Sequence, residues 1–399
     1  MAATTIPHED GAHVYIGQPF HQLATPVAVL DDAALEHNLT TMAGWCRDHG
    51  VELQPHGKTT MAPALFRRQL AAGATGITAA TPAQVRMMRE HAVPAVQLAN
   101  ELVQPAEAAW IAAELAADPD FGFTCWVDSV AGVELLEAGV AASGAVVDVL
   151  LEVGSPGART GTRTEADRSA VRAAVAAAPH LRLAGVCGYE GSMAGDRSPS
   201  SLVVVREYLE RMRAAADELR DDVDGPVVLT AGGSMFYDVV ADVLATGWPA
   251  DAARVILRSG CYVTHDSGLF HRNSPLDGPD APVRLRAALT VWATVLSRPE
   301  PSLALLDAGR RDVSFDQGLP VPLRHLARGA TEPAELAGAE VTALNDQHAY
   351  LAVPADHSLA VGDRVELGIS HPCTTFDKWR RLALLDARGQ VADVVETVF

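Results

Sequence analysis

The chain has 399 residues, 48% hydrophobic and 20% charged, which rules out wholesale disorder and suits one barrel of about 250 residues with a smaller partner domain. Acidic residues outnumber basic ones by 50 to 31, giving a formal net charge of −19 with no basic stripe, so nucleic acid is not an expected partner. The first 24 residues carry Pro, His, Glu and Asp where a secretory signal needs an apolar core, and Asp, Glu, Arg or Pro breaks every Ala/Val/Leu run short of a bilayer span. A cytoplasmic location with no membrane partner is therefore expected. The five cysteines, Cys46, Cys125, Cys187, Cys261 and Cys373, are odd in number and scattered, with no CxxC pair, which argues against a disulfide scaffold and a four-cysteine zinc site.

In chain order, short apolar runs bounded by turn residues alternate with longer Ala/Leu/Arg/Glu segments of helical period. Eight runs read as strands, ending in 54–58, 76–80, 96–100, 124–128, 147–153, 184–189, 227–231 and 254–260. Between them, 62–72, 82–90, 105–117 and 201–221 place Leu, Met, Val and Ala at three- and four-residue steps and read as helices. This predicts an α/β fold, a (β/α)8 barrel over residues 25–270, with a doubly wound open sheet as the alternative. From residue 282 onward, Val/Leu/Thr-rich runs at 285–296, 303–306, 340–344, 350–353, 364–369 and 381–385 are separated by Gly, Pro and Asp. They predict a mostly antiparallel β domain over 271–399, joined by residues 1–24.

In a barrel of this kind the reactive groups sit at the C-terminal ends of the strands. Those positions hold Gln54, His56 and Lys58, then Thr78 and Thr81, Asn100, Asp128, Arg159, Tyr189, the run 231–234 and the run 258–262. Lys58, in QPHGKTT, is a candidate nucleophile or base, although a lone lysine at such a place is as readily a solvated helix-start residue. By strand alternation Gln54 and His56 share its face. AGGSM (231–235) offers consecutive backbone N–H groups, and RSGCY (258–262) adds a glycine and a tyrosine after the next strand. Either motif alone is commonly a plain turn. Two on adjacent late strands match the place where barrels hold a phosphate, and with a strand-end lysine they suggest pyridoxal 5'-phosphate.

With these motifs in place, the chain resembles the fold-type III pyridoxal-phosphate enzymes of the D-serine dehydratase and D-threonine aldolase branch, whose barrel is related to that of alanine racemase. The resemblance runs from about Thr25 to the C-terminus and rests on PHGKT, GARTG (157–161), AGGS, RSGCY, LLDAG (305–309) and HPC (371–373). It implies that Lys58 carries the cofactor, with His56 behind it. Gly232, Gly233, Ser234, Gly260, Cys261 and Tyr262 are expected to hold the phosphate, and Arg159 and Tyr189 to approach the ring and its 3-oxygen. Arg258 occupies the place where alanine racemases keep an arginine against the pyridine nitrogen, a departure from the aldolase pattern that weakens the cofactor as an electron sink.

His371 and Cys373, two apart in a segment read as extended, point to the same side and form a candidate metal pair. Imidazole plus thiolate favours Zn2+, with Mn2+ or Mg2+ as alternatives. The dehydratase side of the branch typically shows His-x-Cys and the aldolase side His-x-Asp. His348, in NDQHAY, is a candidate second base or a surface histidine. The resemblance thus implies a homodimer with shared active sites that dehydrates and deaminates a β-hydroxy-D-amino acid. Retro-aldol cleavage is the alternative, followed by racemisation and a non-catalytic cofactor binder.

Overall fold

The computed structural model describes residues 5–7, 13–277, 281 and 283–399. Of the N-terminal residues expected to join the β domain, 1–4 and 8–12 lie outside the described ones. The chain divides into two compact units: Met42–Lys58 with Phe66–Gly260, and the rest of the described chain.

The first unit holds eight parallel strands, Glu52–Leu53, Ile77–Ala79, Ala95–Glu101, Gly122–Val127, Val147–Glu152, Leu181–Cys187, Val227–Ala231 and Ala253–Leu257. Each pairs in parallel with its chain neighbour from the second to the eighth, and the eighth pairs back to the first through Ile256 with Glu52 and Leu257 with Leu53. A single bridge, His56 to Thr78, joins the first strand's extension to the second and closes the ring. The strands are apolar runs because helices cover the outside while side chains fill the inside, so both faces are dry.

The connecting helices start where side chains can satisfy free backbone donors. Thr81 caps Pro82–Glu90, Ser129 caps Val130–Val140, Ser198 caps Pro199–Glu218, and Thr164 with Asp167 forms a reciprocal capping box on Glu165–Ala176. Gly185 is required by packing, since a Cβ there would lie 2.0 Å from the Val228 carbonyl oxygen.

The second unit is built on a ten-stranded sheet. Leu289–Glu300 is its spine, pairing antiparallel with Arg364–Gly368, Leu303–Leu306 and Val27–Asp31. Val27–Asp31 also runs parallel to Arg381–Leu385, so this early strand belongs to the β unit and not to the barrel, where a boundary at residue 25 would put it. Its first four residues are buried, and pairing on both edges accounts for that. Strands Val321–Leu326, Ala334–Glu335 and Val391–Glu396 join those expected from sequence. Phe20, Leu23, Val27, Val29, Trp292, Leu326, Ala383 and Val391 make one core, with Phe20 and Trp292 ring centroids 4.9 Å apart. Among the described residues, no helix is long and apolar enough to cross a membrane.

Candidate active site

The C-terminal mouth of the barrel holds a cavity of about 250 Å³ lined by His56, Lys58, Ala80, Ala99, Asn100, Trp126, Arg159, Thr160, Tyr189, Gly233 and Arg258. Lys58 lies in a single 3-10 turn, Gly57–Thr59, directly after the bridge that ends the first strand, and its side chain is exposed to the mouth. Gly57 lets that turn sit tightly, because a Cβ there would meet Met88 at 2.5 Å and Ile77 at 2.8 Å.

Arg258 extends from the last strand and is buried. Its Nη1 donates to Thr230 Oγ1 at 2.8 Å, its Nη2 to the Gly188 carbonyl at 2.6 Å, and its guanidinium lies 5.0 Å from the Trp126 ring centroid. Burial lowers its pKa from the usual guanidinium value. The Arg159 guanidinium stands 4.6 Å above the Tyr189 ring, so these two expected ring contacts already form a pair. His56 Nδ1 is buried without a hydrogen-bond partner. Desolvation, followed by the charges of Lys58 and Arg258, holds this imidazole well below the usual histidine value and hence neutral at pH 7. An unpaired buried nitrogen beside an amine and two guanidiniums suits a polar, anionic aromatic group, so the residues present fit pyridoxal phosphate.

The glycine cradle differs from its expected form. Gly232 N–H and Gly233 N–H donate to the two carboxylate oxygens of Glu190 at 2.9 and 2.6 Å, so this pair does not lie open for a phosphate. Glu190 is fully buried at the start of the 3-10 turn that follows the sixth strand, and the neighbouring strand brings these N–H groups to it. Gly232 is needed for the bend, with φ +93°. Ser234 is half-buried, Gly260 is buried, and Cys261 and Tyr262 open a 3-10 turn counted with the other unit.

Three carboxylates close the same barrel end, Asp128 from the strand-end positions read in the sequence and Glu101 and Glu152, which that reading missed. Donor atoms of Glu101, Asp128 and Glu152 lie within 4.8 Å of one another. Burial, then the hydrogen bond and charge of Glu152, push Glu101 up to about 8, and burial also raises Glu152. One proton shared by this pair explains both shifts. Because the folded state holds that proton more tightly than the unfolded state, its contribution to stability is present at low pH and is lost as the pH rises from about 4.5 through about 8. Glu101→Gln should therefore leave the melting temperature near wild type at pH 5 and raise it by roughly several degrees at pH 9, read by calorimetry. An equal shift at both pH values would contradict the shared proton.

In the second unit, the thiols of Cys261 and Cys373 lie 3.6 Å apart. Cys373 Sγ is 3.5 Å from Thr59 Oγ1, which is 4.0 Å from Cys261 Sγ. Pro372 has helical backbone angles and Cys373 begins the short helix Cys373–Phe376, so the segment is a turn and not the extended strand expected. The turn still brings the groups together, since donor atoms of Cys261, His371 and Cys373 fall within 4.8 Å of one another.

Asp316, which the sequence reading passed over in a loop, fixes the histidine. Its Oδ2 lies 2.7 Å from His371 Nδ1, and its Oδ1 accepts from Thr374 Oγ1 at 2.6 Å. A carboxylate behind a histidine is the usual support of a metal-bound imidazole. Hydrogen bonding from Cys261, then His371, holds Cys373 well below the usual thiol value, and Cys261 is raised by the same pairing. Burial opposes a charged His371, but Cys373 and Asp316 outweigh it and bring the imidazole to about 9. A set of two sulfurs and a braced imidazole fits a borderline-soft divalent ion. His348, by contrast, is exposed in the turn between Glu340–Leu344 and Ala349–Ala352 and is not among the residues lining the barrel-mouth cavity.

A closed ring of eight parallel strands with a lysine at the first strand end, accompanied by a mostly antiparallel sheet unit, defines the alanine racemase-like class of barrel enzymes. The chain belongs to the family of the alanine racemase N-terminal domain. The alanine racemase N-terminal domain family matches residues 30–246 and the serine dehydratase domain family matches residues 288–385. The chain is 29% identical over 384 residues to a D-threonine aldolase of Arthrobacter sp., covering 95% of this chain and 93% of that one. It is 27% identical over 390 residues to a D-threo-3-hydroxyaspartate dehydratase of Delftia sp. strain HT23, covering 92% and 96%. The crystal structure of D-threonine aldolase from Filomicrobium marinum superposes with a TM-score of 0.79 at 27% identity, over 96% of this chain and 97% of that one.

Proposed function

We propose that the chain is a pyridoxal-phosphate- and metal-dependent lyase that removes water and then ammonia from a β-hydroxy-D-amino acid of the serine, threonine or 3-hydroxyaspartate type. The observation that carries this reading is the pair of donor sets, an amine among guanidiniums in the barrel mouth and a braced imidazole with thiols in the second unit. Bound pyridoxal phosphate would supply an electron sink for the carbanion at the substrate Cα. Lys58 is the residue that holds the cofactor and then takes the Cα proton, since it is the only lysine lining the cavity. Arg258, held by Thr230, Gly188 and Trp126, acts as a fixed cation that does not release a proton to the ring nitrogen. Tyr189, with Arg159 over its ring, orients the aromatic group. His371 and Cys373 would hold a divalent ion, Zn2+ before Mn2+ or Mg2+, which would supply Lewis acidity for loss of the β-hydroxyl.

Retro-aldol cleavage to glycine and an aldehyde is the second reading, favoured by the 29% identity to a D-threonine aldolase. In that reading His371 and Cys373 would hold an ion that would supply stabilisation for the ionised β-hydroxyl. Product analysis with D-serine, D-threonine and D-3-hydroxyaspartate separates the two. Equal yields of 2-oxo acid and ammonium are expected, and glycine with an aldehyde in their place would overturn the dehydratase assignment.

A further inference from the structure

We propose that Cys261 is the third protein ligand of the metal centre, making it a Cys2His set of Cys261, His371 and Cys373 with one coordination position left open. This rests on the metal reading above and deepens it by fixing the ligand count. Zinc is usually four-coordinate, and catalytic sites commonly use three protein donors with the fourth position free for water or substrate. His371 and Cys373 alone leave such a site one donor short.

The distances favour Cys261 as that donor. Two sulfurs each about 2.3 Å from one tetrahedral ion lie about 3.8 Å from each other, and Cys261 Sγ and Cys373 Sγ are 3.6 Å apart without any ion. The imidazole donor completes the group within 4.8 Å, and among the described residues no fourth His, Cys, Asp or Glu joins it. Asp316 occupies Nδ1 of His371, which leaves Nε2 as the free nitrogen. Cys261 is held in place by a 3-10 turn, Cys261–Val263, whose first carbonyl accepts from His265 N–H at 2.7 Å.

A buried cysteine in contact only with apolar side chains would read as core packing. Cys261 instead faces a second thiol and the Thr59 hydroxyl. Two thiolates would balance the charge of a divalent ion and make the site soft, so Zn2+ or Co2+ should be strongly preferred to Mn2+ or Mg2+. Loading would release the Cys261 thiol proton to solvent, so uptake should weaken as the pH falls.

The test uses the full-length protein, kept reduced so that the two thiols do not oxidise to each other, and titrated with Co2+. The sulfur-to-cobalt charge-transfer absorption of the wild type should fall by about half in Cys261→Ser and by a similar amount in Cys373→Ser, while His371→Gln should retain most of it. Zn2+ affinity, measured against a competing chelator, should drop at least about a hundredfold in Cys261→Ser. X-ray absorption of the wild-type Zn2+ form should count two sulfurs, a result independent of how any variant folds. One sulfur per ion, or a charge-transfer band unchanged by Cys261→Ser, would overturn the role of Cys261 and leave the His371 and Cys373 reading standing. A wild type that takes up Co2+ with no thiolate band would overturn both.

Discussion

Lys58→Ala is expected to reduce turnover on the order of 10⁴-fold or more, because in the proposed function one side chain both anchors the cofactor and moves the Cα proton. The variant should fold normally, since Lys58 is exposed and its turn is held by backbone and by Gly57. Borohydride reduction of the wild-type holoprotein, followed by peptide mapping, should place the cofactor on Lys58. Lys378 is the chain's other lysine and lies 3.4 Å from Asp377, in the second unit. Label on Lys378, or a Lys58→Ala protein of near-normal activity, would end the assignment.

Removing the metal should cost about 10³-fold in the turnover of a β-hydroxy substrate. Hydroxide is a poor leaving group, and Lewis-acid help supplies several kcal/mol, each 1.4 kcal/mol being a factor of about ten. In the proposed function Arg258 would sharpen this dependence, because a fixed cation at the ring nitrogen would let the cofactor accept less charge and leave more of the barrier on the leaving group. Chelation should therefore silence the enzyme while leaving the cofactor's visible absorption in place, and Cys373→Ala should do the same. Cys373→Asp exchanges a soft donor for a hard one and should shift the preference toward Mn2+. Metal-free protein, verified by elemental analysis, that turned over at the rate of the loaded enzyme would refute the role of His371 and Cys373.

The barrel was legible because its strands are buried on both faces and so read as unbroken apolar runs. The strand-end rule then picked out Lys58, Arg159, Tyr189 and Arg258, all of which line the cavity. The same rule would have reached Glu101 and Glu152, each the last residue of its strand, had carboxylates there been weighed as closely as amines. Other features depend on long-range pairing that local pattern does not encode. Val27–Asp31 falls inside the span assigned to the barrel until its partners at 289–292 and 383–385 are known. Pro322 disguised Val321–Leu326, since proline inside a short run argues against a strand. Asp316 and Glu190 offered no local signal, because each acts through a neighbour that only the folded chain supplies, His371 for one and the Gly232 and Gly233 amides for the other.

The closure of the barrel ring has a consequence for how this enzyme fails when warmed. The first strand has two residues, and its link to the second is one ladder bridge with the Thr78 and Thr75 amides bonded to Pro55 and Leu53. This seam has the fewest rungs in the ring, so thermal breathing should open it before the longer strands part. Lys58 rides on the loose side of that seam, two residues past the bridge. An opening there should swing the amine away from its place while the other strands remain paired, so on warming activity should fall before secondary structure does.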